Sequence, residues 1–263
     1  MEFIAVRDTV LCVEAEILPA RPTIVFGNSL GTDYRSWDAV AARLRGRFGL
    51  VRYDKRGHGL SLHGAAANRI EIHAEDLQTL LAHLKLDNTI LCGLSVGGMI
   101  AQAAGARKPA GVRGLVLCDT GHRIGTADIW NTRIAAIRAG GMGAIADGVM
   151  QRWFSPAFIQ RGGAPLAGWR NMLMRCPPEG YIAVCEAIRD GDLEASTRTI
   201  TLPTMVLCGD QDLATPPDLV RSMAALIPGA SFDLLPGCGH LPCVEQADLT
   251  ASHITRFAEG LRP

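Results

Sequence analysis

Three short stretches of this chain hold residues able to break an ester. Gly93-Leu94-Ser95-Val96-Gly97 frames a serine between glycines. Ahead of it, Asn88 to Cys92 is a short apolar run suited to a buried strand, and after it Met99 to Ala104 is rich in helix formers. A serine hydroxyl attacks well only when a base takes its proton, and the base needs a carboxylate to orient it. Gly209-Asp210-Gln211-Asp212 follows the apolar run that ends at Cys208, and Gly239-His240 follows the run that ends at Leu235. The chemistry predicted is acyl transfer, with Ser95 as nucleophile, His240 as base and Asp212 as the orienting acid.

A G-x-S-x-G turn between strand and helix is the nucleophile elbow of α/β-hydrolases, whose triad runs Ser, Asp or Glu, then His along the chain. Asp212 is preferred to Asp210 because the acid usually stands three residues after the glycine, with a proline such as Pro216 closing the loop. Asp119 also follows a strand, at a position that supplies the acid in some relatives. The oxyanion of the tetrahedral intermediate needs two N–H donors. One is expected from Val96, directly after the nucleophile. The other is expected from Leu30, in the loop Asn28-Ser29-Leu30-Gly31 that follows strand Thr23–Phe26. The Ser29 side chain is either a loop hydrogen bond or a substrate contact.

The elements that must position these residues alternate. Residues 2 to 16 read as two strands around a turn, and Thr23–Phe26 and Gly49–Tyr53 as strands flanking a helix from Trp37 to Arg45. Ile70 to Leu86 has a period near 3.6, and Val112–Cys118 is a further strand. From there to about residue 198 the pattern is helical, with three of the four tryptophans. Strand Thr204–Cys208, helix Pro217–Leu226, strand Ser231–Leu235 and a helix from about Glu245 to Leu261 follow. This alternation predicts an α/β fold with a mainly parallel central sheet, helices on both faces and an inserted helical cap. The expected division is a core of residues 1–120 and 199–263 with a cap of 121–198.

The 263 residues suit one α/β body, 48% are apolar, and 26 basic residues balance 26 acidic ones. A net charge of zero argues against nucleic acid or a membrane surface as the main partner. The N-terminus shows no export signal, and the eight cysteines mostly sit in apolar runs, as reduced core thiols do. The expectation is a cytoplasmic protein, with a homo-oligomer possible. Gly141-Met142-Gly143-Ala144-Ile145-Ala146 matches a dinucleotide fingerprint by letter but follows a helical segment, and Cys238, His240 and Cys243 lack a second ligand pair. No cofactor and no metal are expected. Asp54-Lys55-Arg56-Gly57-His58-Gly59 reads as a structural turn beside the site. His58, His63, His73, His83, His122 and His253 read as turn, helix-surface or cap residues.

Over nearly its whole length the chain resembles the 3-oxoadipate enol-lactonases. Asn28 to Asp33 with Trp37 is similar to that family's oxyanion loop, and Arg52 to Gly59 and Cys92 to Gly98 are shared with a wider group. The cap carries more of the likeness: Arg123-Ile124-Gly125 with Trp130, then Arg152-Trp153-Phe154, then Gly180-Tyr181 and Cys185 to Ile188. The resemblance implies hydrolysis of 3-oxoadipate enol-lactone, a small lactone bearing a carboxylate. That carboxylate needs a buried donor or cation. Trp130 and Arg133 are three apart and share a helix face, so they are the expected contact, with Trp153 as an apolar wall. Arg152 and Arg189 are rivals. The competing readings are another ester or carbon–carbon bond hydrolase of the same fold, which only the cap would distinguish, and a non-catalytic ligand-binding relative. Dehalogenases and epoxide hydrolases of this fold use an aspartate nucleophile, against which Ser95 stands.

Overall fold

A computed structural model describes residues 1–65 and 68–261; residues 66–67 and 262–263, which the expected domain ranges include, lie outside the described residues. The sheet strands are β1 (Glu2–Val6), β2 (Thr9–Glu16), β3 (Thr23–Gly27), β4 (Gly49–Tyr53), β5 (Thr89–Leu94), β6 (Val112–Cys118), β7 (Thr204–Gly209) and β8 (Ser231–Leu235). They form one sheet in the order β1-β2-β4-β3-β5-β6-β7-β8. β2 pairs antiparallel with β1 and β4, and every other pairing is parallel. β3, β4, β5 and β7 are buried along their whole length, which is why, Arg52 of β4 apart, they read as mainly apolar runs rather than alternating ones.

Helices α1 (Asp38–Leu44), α2 (Ile70–His83) and α3 (Val96–Ala106) connect the first strands, with a 3-10 turn at Tyr34–Trp37 ahead of α1. Between β6 and β7 the chain makes α4 (Ala127–Gly140), α5 (Gly143–Trp153), α6 (Pro156–Arg161), α7 (Gly163–Met174), α8 (Pro178–Asp190) and the single turn α9 (Glu194–Thr197). In this helical insertion α4 packs on α8 and α5 on α7. α10 (Pro217–Ala224), α11 (Pro242–Glu245) and α12 (Ala247–Gly260) complete the chain.

Two boundaries differ most from the sequence reading. α2 stops at His83, because Lys85 takes a left-handed backbone (φ 53°) that ends the helix. The last helix is two pieces, broken at Gln246 (φ −132°, ψ 46°). His73 is a larger correction: it is buried, not on a helix surface, and burial lowers its pKa to about 3.

The parallel register aligns the C-terminal strand ends, pairing Gly27 with Gly93, Leu94 with Cys118 and Gly209 with Leu235. The loops after β3, β5, β6, β7 and β8 therefore emerge at one edge, where open α/β sheets place their sites. No helix among the described residues is long and apolar enough to cross a membrane.

Candidate active site

Ser95 stands between β5 and α3 with φ 58° and ψ −119°, a strained conformation for a residue with a side chain. Its neighbours make the turn possible. A Cβ on Gly93 would lie 2.2 Å from the Gly97 carbonyl oxygen, and one on Gly97 would lie 2.4 Å from that of Gly27. The Ser95 carbonyl accepts from the Gly98 and Met99 N–H groups and from the Thr120 hydroxyl at 2.6 Å, which holds the strained residue in place. Val96 is the first residue of α3, so its N–H has no acceptor within the helix.

His240 lies 28 residues beyond Asp212 in sequence, yet its Nδ1 is 2.8 Å from Asp212 Oδ2. Asp212 also accepts from the Thr215 hydroxyl (2.6 Å) at Oδ2 and from the Ala214 and Thr215 N–H groups at Oδ1. Burial works to raise the Asp212 carboxyl, but the attraction of His240 and the hydrogen bonds from His240 and Thr215 outweigh it and hold it below its ordinary value. Against an ionised Asp212, Nδ1 carries the ring proton and Nε2 is left as the basic nitrogen. The His240 N–H donates to the Trp153 carbonyl at 2.8 Å, which ties the loop to α5. Glu245, which the sequence reading passed over, strengthens that tie by accepting from Gly239 N–H (2.8 Å) and from the Ser155 hydroxyl (2.5 Å). A lone acid in a single helical turn gave no signal of this.

The rival acids occupy other places. Asp210 is exposed and accepts from the Cys238 N–H. Asp119 is fully buried, with Oδ1 accepting from Gly209 N–H at 2.8 Å and Oδ2 without a hydrogen-bond partner among the described residues. Asp119, Cys208 and Asp212 offer ligand atoms within 4.8 Å of one another. Both Asp212 oxygens are already engaged by His240, Ala214 and Thr215, so the cluster reads as a carboxyl pair rather than a metal site. Burial first, and the Asp212 charge next, push the Asp119 carboxyl well above its ordinary value. This push favours the protonated form of Asp119 beside an ionised Asp212.

One cavity under the helical insertion is lined by Ser29, Leu30, Ser95, His240, Trp130, Arg133, Arg152 and Trp153, among others. It brings together every expected site residue except Asp212, which lies behind His240, and Val96, which follows Ser95. Two expectations change. The Trp130 N–H donates to the Ile124 carbonyl at 2.6 Å, so it is not free for a ligand, and the ring face instead carries the Arg133 guanidinium 5.0 Å from its centroid. Arg189 is bonded to Asp190 and Asn131 and is absent from the cavity lining, which removes it as a rival. Arg152 lines the cavity beside Arg133 and remains.

The α/β-hydrolase family profile matches residues 15–253. The chain belongs to the α/β-hydrolase family. This hydrolase is 32% identical to 3-oxoadipate enol-lactonase 2 of Acinetobacter baylyi over 74% of its own length and 73% of that protein's. It is 28% identical to 3-oxoadipate enol-lactonase 1 of the same organism over 92% and 90%. The solved enol-lactonase of Burkholderia xenovorans LB400 superposes with a TM-score of 0.93 at 34% identity, covering 98% of this chain and 100% of that one. The resemblance to enol-lactonases read from the sequence is thus borne out.

Proposed function

We propose that this hydrolase opens 3-oxoadipate enol-lactone to 3-oxoadipate by a Ser-His-Asp acyl-enzyme mechanism, in the breakdown of aromatic compounds. The observation that carries the reading is one cavity holding Ser95, His240 and two arginines, Arg133 and Arg152, with no carboxylate at ion-pair distance among the described residues. The two Acinetobacter relatives named for this lactone, and the Burkholderia structure named as an enol-lactonase, support the same substrate.

In the mechanism, His240 Nε2 takes the Ser95 proton as Oγ attacks the lactone carbonyl, and Asp212 stabilises the imidazolium. The Leu30 and Val96 N–H groups hold the oxyanion. Collapse breaks the ring C–O bond, the tethered enol oxygen takes the proton from His240, and the enol then tautomerises to the ketone as a proton is gained at carbon and lost from oxygen. A water that gives its proton to His240 then attacks the acyl-enzyme, frees the new carboxylate and returns the proton to Ser95. Arg133, braced on the face of Trp130, and Arg152 take the substrate's own carboxylate, Ser29 lies beside it, and Trp153 walls the cavity. Residues 121–198 act as the cap over this core.

Covalent labelling tests the nucleophile. A serine-directed phosphonate is expected to add one mass increment to the wild type, on the peptide holding Ser95, and none to Ser95→Ala. A wild type left unlabelled would favour a ligand-binding relative instead.

A further inference from the structure

The turn after β4 has more to do than close a loop. Lys55 is 2% exposed, and its ammonium faces two backbone carbonyls, Ser29 at 2.6 Å and Asn28 at 3.4 Å. No carboxylate lies at ion-pair distance from it among the described residues. Three residues on, His58 is fully buried, and its Nε2 accepts the Gly31 N–H at 3.0 Å. The turn itself is braced. Arg56 grips Asp76 of α2 through two hydrogen bonds of 2.6 and 2.8 Å, and Asp54 accepts from the Tyr34 and Leu60 N–H groups.

These contacts clamp consecutive peptides of the loop that holds Leu30. In a trans peptide the carbonyl of one residue and the N–H of the next point in opposite directions. Holding the Ser29 carbonyl toward Lys55 therefore turns the Leu30 N–H away from Lys55. Leu30 lines the Ser95 cavity and Lys55 does not, so that direction leads to the cavity. The His58 bond to Gly31 fixes the next peptide in the same way.

A lysine is a costly choice for packing alone, since burying an ammonium against carbonyls recovers little of its hydration. A methionine would fill the space. What the lysine adds is a positive charge one peptide behind the oxyanion, in surroundings where charges act strongly. We propose that Lys55 is a positioning residue for the oxyanion hole: it holds the Ser29 carbonyl so that the Leu30 N–H meets the developing oxyanion, and its charge strengthens that donor. This inference rests on the reading of Leu30 as an oxyanion donor.

Lys55→Met and Lys55→Gln, assayed on 4-nitrophenyl acetate beside the wild type and Ser95→Ala, test it. Below about pH 7, where Lys55 keeps its proton, the account predicts a fall in kcat of about 10- to 100-fold with KM changed by less than about twofold, in variants whose near-ultraviolet circular dichroism is native. A native variant with kcat within about twofold of wild type overturns the role of Lys55 and leaves the triad standing. Activity retained by Ser95→Ala would overturn the underlying reading instead. Should neither lysine variant fold, the wild-type pH profile decides. Besides Lys55, the titratable groups around it are Asp54, Asp33, Cys176, His58 and His73. Burial lowers the Lys55 pKa to about 7, so kcat should decline as pH rises through that region. A decline seen only near the ordinary lysine value of about 10.4 overturns the proposal.

Discussion

Arg133 and Arg152 enter one cavity from two different helices, α4 and α5, and burial together with the charge of Arg133 lowers the pKa of Arg152. With no carboxylate at ion-pair distance among the described residues, the two guanidiniums repel each other, a cost that an anionic ligand relieves. In the proposed reaction the lactone's carboxylate is that anion.

Replacing either arginine with methionine keeps the apolar stem and removes the charge. A charge-assisted hydrogen bond contributes about 1.5–3 kcal/mol, so kcat/KM on the lactone should fall roughly 10- to 100-fold for Arg133→Met or Arg152→Met. The methyl ester of the same lactone, which lacks the charge, should show a change of less than about threefold. Equal losses on both substrates would mean the arginines serve the cavity's shape and not its charge.

The protonated state of Asp119 makes a prediction that a charged one would not. Asparagine copies the neutral acid: its Oδ1 keeps the Gly209 N–H and its Nδ2 faces the Asp212 carboxylate. Asp119→Asn should retain activity within about threefold and leave the acid limb of the kcat/KM profile in place. Were Asp119 ionised, its removal would take a negative charge from behind the Asp212–His240 pair, and that limb would move to lower pH.

His73 makes stability depend on pH. Burial first, then Lys55 and Arg56, lower its folded pKa from 6.5 to about 3, so the unfolded chain binds the extra proton between those values. Stability from this group is complete above about 6.5 and is lost as pH falls toward 3. The slope is up to about 1.4 kcal/mol per pH unit. Urea unfolding of wild type and His73→Leu at several pH values measures it. The difference between the two should shrink or reverse in favour of the leucine variant as pH falls through the window, and a difference independent of pH would contradict the assignment.

What the sequence made legible follows from what is local. Apolar runs ending at Gly27, Leu94, Cys118 and Gly209 mark strands buried on both faces, and glycines flanking Ser95 mark a turn with no room for side chains. Asp212 was legible because it stands just past such a strand, and His240 because it follows the more exposed strand β8. The hidden features depend on where distant segments meet. Nothing near Lys55 announces that it will lie under the carbonyl of Ser29, 26 residues earlier in the chain. The helical spacing of Trp130 and Arg133 placed both on one face, but that the guanidinium would lie on the ring and the indole N–H be taken by Ile124 depends on how the chain enters α4. His73 stands three residues after Ile70 and four before Leu77, on the face of α2 that the structure buries, so its residue type and not its spacing suggested a surface place.

The measurement closest to the central claim follows the ultraviolet absorbance of the enol-lactone, made in situ from muconolactone by its isomerase, with wild type and Ser95→Ala side by side. The account predicts loss of absorbance with the wild type alone, at a rate proportional to enzyme. A wild type that leaves the lactone intact while hydrolysing simple esters would contradict the substrate assignment, and the roles given to Arg133 and Arg152 would fall with it.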